Sequence, residues 1–157
     1  MEPEIVINGI VYFVLSAEEL QQYFGMTIDT EYGSMYGGPE TGAYTDGVIE
    51  VPESITVEGQ TVPVVGFDGG GLNGFDVVSV SEVILPSTIL CLLGGFYGFT
   101  NLQKVTCYAE SAPLLSSEIF GDQPGTDFEG TPSTKELYIP SGSDYSTWTN
   151  DTTWGGC

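Results

Sequence analysis

Ser81-Glu82-Val83-Ile84-Leu85-Pro86-Ser87-Thr88-Ile89, running on to Gly94-Gly95-Phe96-Tyr97-Gly98-Phe99, is followed at once by Thr100-Asn101-Leu102-Gln103-Lys104-Val105-Thr106-Cys107. The two stretches carry one pattern, with Val83 and Val105 offset by 22 positions, from 83 to 105. An offset of this size is the period of a solenoid coil, in which each unit buries its apolar face only by stacking on the next.

The pattern extends in both directions. Val48-Ile49-Glu50-Val51-Pro52 reads as a short strand ended by proline, which cannot donate to a ladder. Pro52, Pro86 and Pro140 each follow a hydrophobic β-run, at steps of 34 (52 to 86) and 54 (86 to 140), so the repeats are irregular. Ile55-Thr56-Val57-Glu58-Gly59-Gln60-Thr61-Val62-Pro63-Val64 predicts a hairpin with Glu-Gly at its tip, and it accounts with residues 109–133 for the extra length. Val65-Gly66-Phe67 followed by Gly71-Leu72-Asn73-Gly74-Phe75 matches the later Gly95-Phe96-Tyr97-Gly98-Phe99. Glu136-Leu137-Tyr138-Ile139-Pro140 forms the last unit, and Tyr145, Trp148 and Trp154 supply bulk to close the final apolar layer.

Before the repeats, Glu4-Ile5-Val6-Ile7 and Ile10 to Leu15 flank Asn8-Gly9, the strongest short hairpin signal because both residues tolerate positive φ. Ser16-Ala17-Glu18-Glu19 fits a capping box and predicts a short helix to about Phe24. Residues 25–47 show no clear period, and Gly33-Ser34-Met35-Tyr36-Gly37-Gly38-Pro39 reads as a long loop. Tyr32, Tyr36 and Tyr44 on it are candidate exposed contact residues.

These residues resemble the BspA-like leucine-rich repeat family, found in surface and secreted proteins of Bacteroidetes and some other microbes. Leu102, Val105 and Cys107 fill that family's strand positions, as do Val83, Leu85 and Pro86 one unit earlier, and Gly94, Phe96, Gly98 and Phe99 fill its turn. The family often carries Cys where this chain has Phe75 and Phe99. The run from Val105 to Pro113, then Phe120, Leu137 to Ser143, Tyr145 and Trp148, resembles the family's terminal cap. The resemblance covers residues 48–154 well and 1–47 loosely.

The resemblance and the residue pattern together lead to one expectation. The chain should be mainly β, an irregular leucine-rich-repeat solenoid (a right-handed β-coil) with an N-terminal β-hairpin and short-helix cap and an aromatic C-terminal cap. Residues 1–47 form the leading cap and residues 48–157 the repeat domain. Val83, Leu85, Leu102 and Val105 point inward, while Glu82, Gln103, Thr106, Glu136 and Tyr138 line the exposed sheet face.

Composition narrows function by exclusion. The hydrophobic fraction of 41% supports a real core rather than global disorder. Twenty-two acidic residues face two lysines, Lys104 and Lys135, for a net charge of −20. Nucleic acid is thereby disfavoured as a partner, since phosphate binding needs clustered Lys and Arg, and an anionic membrane surface is disfavoured for the same reason. No segment reaches the roughly 18 apolar residues of a membrane-inserting helix. The charge fits a solvated, self-repelling surface. No cofactor is expected. Calcium is the ion that acidic loops would suit, and calcium-dependent adhesion follows from it, but no EF-hand loop or regular Asp-rich repeat supports it.

The chain contains no histidine, which removes the Ser-His-Asp and Cys-His arrangements. Asp122, Asp127 and Glu129 lie in a Gly-rich loop and read as solvated rather than as paired catalytic carboxylates. Gly69-Gly70-Gly71 is followed by no Gly-Lys-Ser/Thr and is not a phosphate loop. Cys91, Cys107 and Cys157 form no CxxC, so zinc is disfavoured, and the first two sit at apolar positions suited to buried thiols.

No catalytic or metal-ligating residues are assigned. The expected function is a non-enzymatic surface or secreted interaction protein that binds a protein or glycan through its repeat surface, with Tyr32, Tyr36, Tyr44, Glu82, Gln103, Tyr138 and Trp154 as candidate ligand-binding residues. The alternative is a structural subunit of an assembly, a phage particle or extracellular filament. It is motivated by few cations, the unpaired Cys157 and a start, Met1-Glu2-Pro3-Glu4, without a signal peptide's basic and apolar segments. The first reading implies an extracellular or cell-surface location, and the second implies a virion or self-association.

Overall fold

The computed structural model describes residues 3–40, 47–68, 79–93, 101–116 and 136–144. The expected hairpin opens the fold. Strand β1 (Glu4–Ile7) pairs antiparallel with β2 (Ile10–Ser16), and Asn8 (φ 51) and Gly9 (φ 80) make the tight turn between them. Ser16 then caps helix α1 (Ala17–Phe24). Its hydroxyl accepts from the Glu19 N–H at 3.1 Å, and its own N–H donates to the Glu19 carboxylate at 3.0 Å. Gly25 (φ 68) ends the helix in the left-handed region, where its N–H donates to the Gln21 carbonyl.

The expected loop at residues 33–39 is a strand, β3 (Tyr32–Pro39), antiparallel to β2. Gly33 and Gly37 are not turn residues but make room, because a Cβ on Gly33 would lie 2.8 Å from Leu20 Cδ1 and one on Gly37 2.6 Å from Phe13 Cε2, while Gly38 takes a positive φ of 88 where the pairing with β2 is irregular. From Gly33 to Pro39 every residue is buried, so the strand shows none of the polar alternation that marks a half-exposed one.

Strand β4 (Val48–Glu50) is followed by the second expected hairpin, β5 (Ser54–Val57) and β6 (Gln60–Asp68), with Glu58 (φ 51) and Gly59 (φ 78) at its tip. The chain then runs through β7 (Glu82–Leu85), β8 (Cys91–Leu93), β9 (Lys104–Cys107), β10 (Leu114–Ser116) and β11 (Glu136–Tyr138). Alternate strands enter different sheets. β4, β7, β9 and β11 form a four-stranded, wholly parallel sheet, and β6, β8 and β10 form a parallel ladder within the other. That other sheet is mixed and has seven strands, because β3 joins β6 in parallel and brings the leading antiparallel strands with it.

In the four-stranded sheet Ile49, Val83, Val105 and Leu137 are register partners, at steps of 34, 22 and 32 (49 to 83, 83 to 105, 105 to 137). The 22-residue offset is thus a true rung spacing. It also explains the long gap between prolines, since Tyr108 occupies the position that Pro86 and Pro140 take on adjacent rungs.

The main core lies between the sheets. Ile49, Val83, Leu85, Val105 and Cys107 meet Tyr12, Tyr36, Val64, Phe67 and Leu92. Burying a Val, Leu or Phe side chain contributes about 1.5–3 kcal/mol, so this layer dominates stability. A smaller cluster, Leu20, Met26, Met35, Val65 and Cys91, fastens the helix to the outer face of the seven-stranded sheet. Val65 is an extra residue in β6, between the pairs Ser34↔Val64 and Met35↔Gly66. This bulge lets Val64 and Phe67 both face the main core while Val65 faces the helix.

Candidate functional site

The outer face of the four-stranded sheet carries two in-register rows. Val48, Glu82, Lys104 and Glu136 form one, and Glu50, Ile84, Thr106 and Tyr138 the other. Alternation along β4, β7 and β9 sends Ile49, Val83 and Val105 inward and leaves Val48, Glu50, Glu82, Ile84, Lys104 and Thr106 outward. Lys104 Nζ stands 3.9 Å from Glu82 Oε2 and 4.8 Å from the centre of the Tyr138 ring. One cation is therefore shared between a carboxylate on one neighbouring strand and an aromatic face on the other. Exposed pairs of this kind contribute little to stability, about 0–1 kcal/mol, but they set the shape and charge of the face.

Past the strand ends lies a groove of about 380 Å³, lined by Glu50, Pro52, Glu53, Ile84, Pro86 and Tyr108 among others. The ladder makes it. Val51 N–H donates to the Ile84 carbonyl and Tyr108 N–H to the Leu85 carbonyl, each at 3.0 Å, and the two prolines lack an N–H to carry the pairing further. The pyrrolidine rings and the Tyr108 side chain therefore line up where the strands stop. Tyr108 is 58% exposed and Tyr138 42% exposed, high values for large aromatic side chains.

Of the residues expected to bind, Glu82 and Tyr138 come together around Lys104. Gln103 is exposed beside them, with its N–H donating to the Ser81 carbonyl at 2.8 Å. Glu82 and Thr106 are half-buried rather than open. Tyr32 is half-buried at the start of β3 and packs against the main core. Tyr36 is not an exposed contact residue. It is 3% exposed, edge-on to Tyr12 at 5.7 Å and stacked on Phe67 at 5.7 Å with rings 21° apart. The strand identity of residues 32–39 explains this, since β3 is covered on both faces. Tyr44 and Trp154 lie outside the described residues, as do Tyr145, Trp148, Cys157 and the acidic positions 122, 127 and 129.

Three features escaped the sequence reading: the groove, the exposure of Tyr108 and the central place of Lys104. The break in the proline series at 108 was the available signal. Among the described residues no cluster of three or more Asp, Glu or Cys side chains is placed to hold a metal ion, and no helix is long and apolar enough to cross a membrane. Cys91 and Cys107 are buried and in no disulfide, and burial pushes the Cys91 thiol up to about 11.

No protein-family model matches the chain, and no curated protein matches it. It is similar to two solved structures. One is a leucine-rich cell surface protein from Faecalibacterium prausnitzii, at 15% identity and a TM-score of 0.49, covering 74% of this chain and 27% of that one. The other is a leucine-rich repeat protein from Bacteroides capillosus, at 11% identity and a TM-score of 0.48, covering 89% of this chain and all of that one. The chain thus spans about a quarter of the length of the Faecalibacterium protein.

Proposed function

We propose that this chain is a non-enzymatic surface interaction protein, which binds a protein or glycan through the outer face of its four-stranded sheet and the adjoining groove. A single observation carries the reading. Tyr108, one residue past the end of β9, and Tyr138, on the neighbouring β11, stand exposed on one parallel ladder, and Tyr108 lines a groove that the ladder itself shapes. Exposed aromatic side chains on a fixed scaffold are the usual anchors of recognition, whether against a protein or the face of a sugar ring. The cell-surface location belongs to the proposal and rests on the sequence resemblance. The chain's high negative charge suits a solvent-facing protein.

The test is binding of the purified chain to a panel of immobilised glycans and extracellular matrix proteins, alongside the Tyr108→Ala/Tyr138→Ala double variant. Loss of two exposed anchors should weaken a true partner by about tenfold or more. Binding that is indifferent to both substitutions refutes the reading.

A further inference from the structure

We infer that the groove takes a lysine- or arginine-bearing peptide segment of a partner protein, with the cationic tip beside Glu50 and Glu53 and the aliphatic stem on Ile84 and Pro52. This rests on the interaction-surface reading above and assigns its partner a chemistry.

The molecule contains its own example of the contact. On the same sheet face, Lys104 is held by one carboxylate, Glu82, and one phenol ring, Tyr138. The groove presents the same two kinds of group, the carboxylates of Glu50 and Glu53 and the ring of Tyr108. Tyr108 follows Lys104 and Thr106 at two-residue steps and Tyr138 is the register partner of Thr106, so both rings belong to one face. Among the described residues the groove lining contains no cation.

Its remaining lining is apolar. Ile84 and Pro52, both half-buried, are surfaces on which the methylene stem of Lys or Arg can lie while its head reaches a carboxylate, and the buried Pro86 lies beneath them. An aromatic ring beside the head adds a cation–π contact. A volume of about 380 Å³ is at the small end for ligand pockets, which run about 300–1,000 Å³, and suits one or two side chains of a segment. Charge selects the sign of the partner. A chain with 22 acidic and two basic residues attracts a cationic segment and repels an acidic one.

The experiment titrates the full chain, at physiological ionic strength, with an N-acetylated Gly-Gly-Lys-Gly-Lys-Gly-Gly peptide, with the same peptide bearing acetylated lysines, and with spermine. Each titration is repeated on Glu50→Gln/Glu53→Gln and on Glu4→Gln/Glu31→Gln, which removes the same charge at exposed sites elsewhere. The lysine peptide should bind, its acetylated form should not, and the groove variant should weaken binding about tenfold while the remote variant changes it less than about twofold. All the substitutions are close to isosteric and on exposed side chains, so the melting curves should coincide.

Equal weakening by the two variants would show bulk charge attraction and overturn the proposal. Binding of the acetylated peptide, no binding of the lysine peptide at millimolar concentration, or spermine matching the peptide with the same dependence on Glu50 and Glu53 would also overturn it. If any of these occurs while a panel partner still depends on Tyr108 and Tyr138, this inference alone fails. If the panel partner ignores the tyrosines, the earlier reading fails.

Discussion

Replacing Val83 with threonine tests the rung register, because the neighbouring residue supplies the control. Val83 is fully buried, with Ile49 and Val105 as partners on either side. Threonine has nearly the same shape and is also β-branched, so strand propensity and volume stay almost constant. The substitution replaces a methyl by a hydroxyl in a spine whose flanking backbone groups are already engaged in the ladder. An unpartnered buried hydroxyl costs about 1–3 kcal/mol. Ile84→Thr, one residue on, faces outward and is half-exposed, so its hydroxyl reaches water and the loss stays below about 1 kcal/mol. With a urea dependence of about 2 kcal/mol per molar for a domain of this size, Val83→Thr lowers the denaturation midpoint by about 1 M and Ile84→Thr by less than about 0.5 M. Urea melts followed by circular dichroism measure both. If Val83→Thr costs no more than Ile84→Thr, the inward and outward faces have been assigned wrongly and the groove argument falls with them.

Further outcomes follow from other sites. Because the Cys91 thiol is pushed up to about 11 from an ordinary 9.0, the unfolded chain releases its proton first, and stability falls as pH rises from about 9 towards 11. That contribution is about 2–3 kcal/mol, and Cys91→Ala should flatten this part of the pH profile in urea melts; parallel profiles for the two proteins would disprove it. Gly37→Ala places a Cβ 2.6 Å from Phe13 Cε2 and 3.1 Å from the Val11 carbonyl oxygen, and since the carbonyl belongs to the paired strand it should cost about 1–3 kcal/mol in thermal melts. Lys104→Met keeps the stem but removes the ion pair and ring contact. With the lysine 43% exposed, the change should stay within about 1 kcal/mol and shrink in high salt, and a larger, salt-independent loss would mean that the contact is structural.

Local signals were legible where a few adjacent residues decide the outcome. Asn8-Gly9 and Glu58-Gly59 sit at positive φ in tight hairpins, and Ser16 with Glu19 forms the reciprocal cap. The Val83–Val105 offset was legible because both strands bury one face fully and the other only in part. β3 was not, because Gly33 and Gly37 look like turn residues until the side chains of Leu20 and Phe13 are seen pressing on them. Tyr36 was misplaced for the same reason, as its ring partners are remote in sequence. The second ladder was hidden because β8 and β10 are three residues each, too short to display a period. The groove is made of residues from three rungs, 50 to 53, 84 and 86, and 108, and no local window contains it.

The unequal steps between rungs have an evolutionary consequence. Each strand is aligned by the one beside it, so 34, 22 or 32 residues can separate successive strands without disturbing their alignment. Where contacts run only between neighbouring units, an added strand needs to match only its two immediate neighbours. Recognition can then diversify in the excursions while the alignment that supports them is inherited intact.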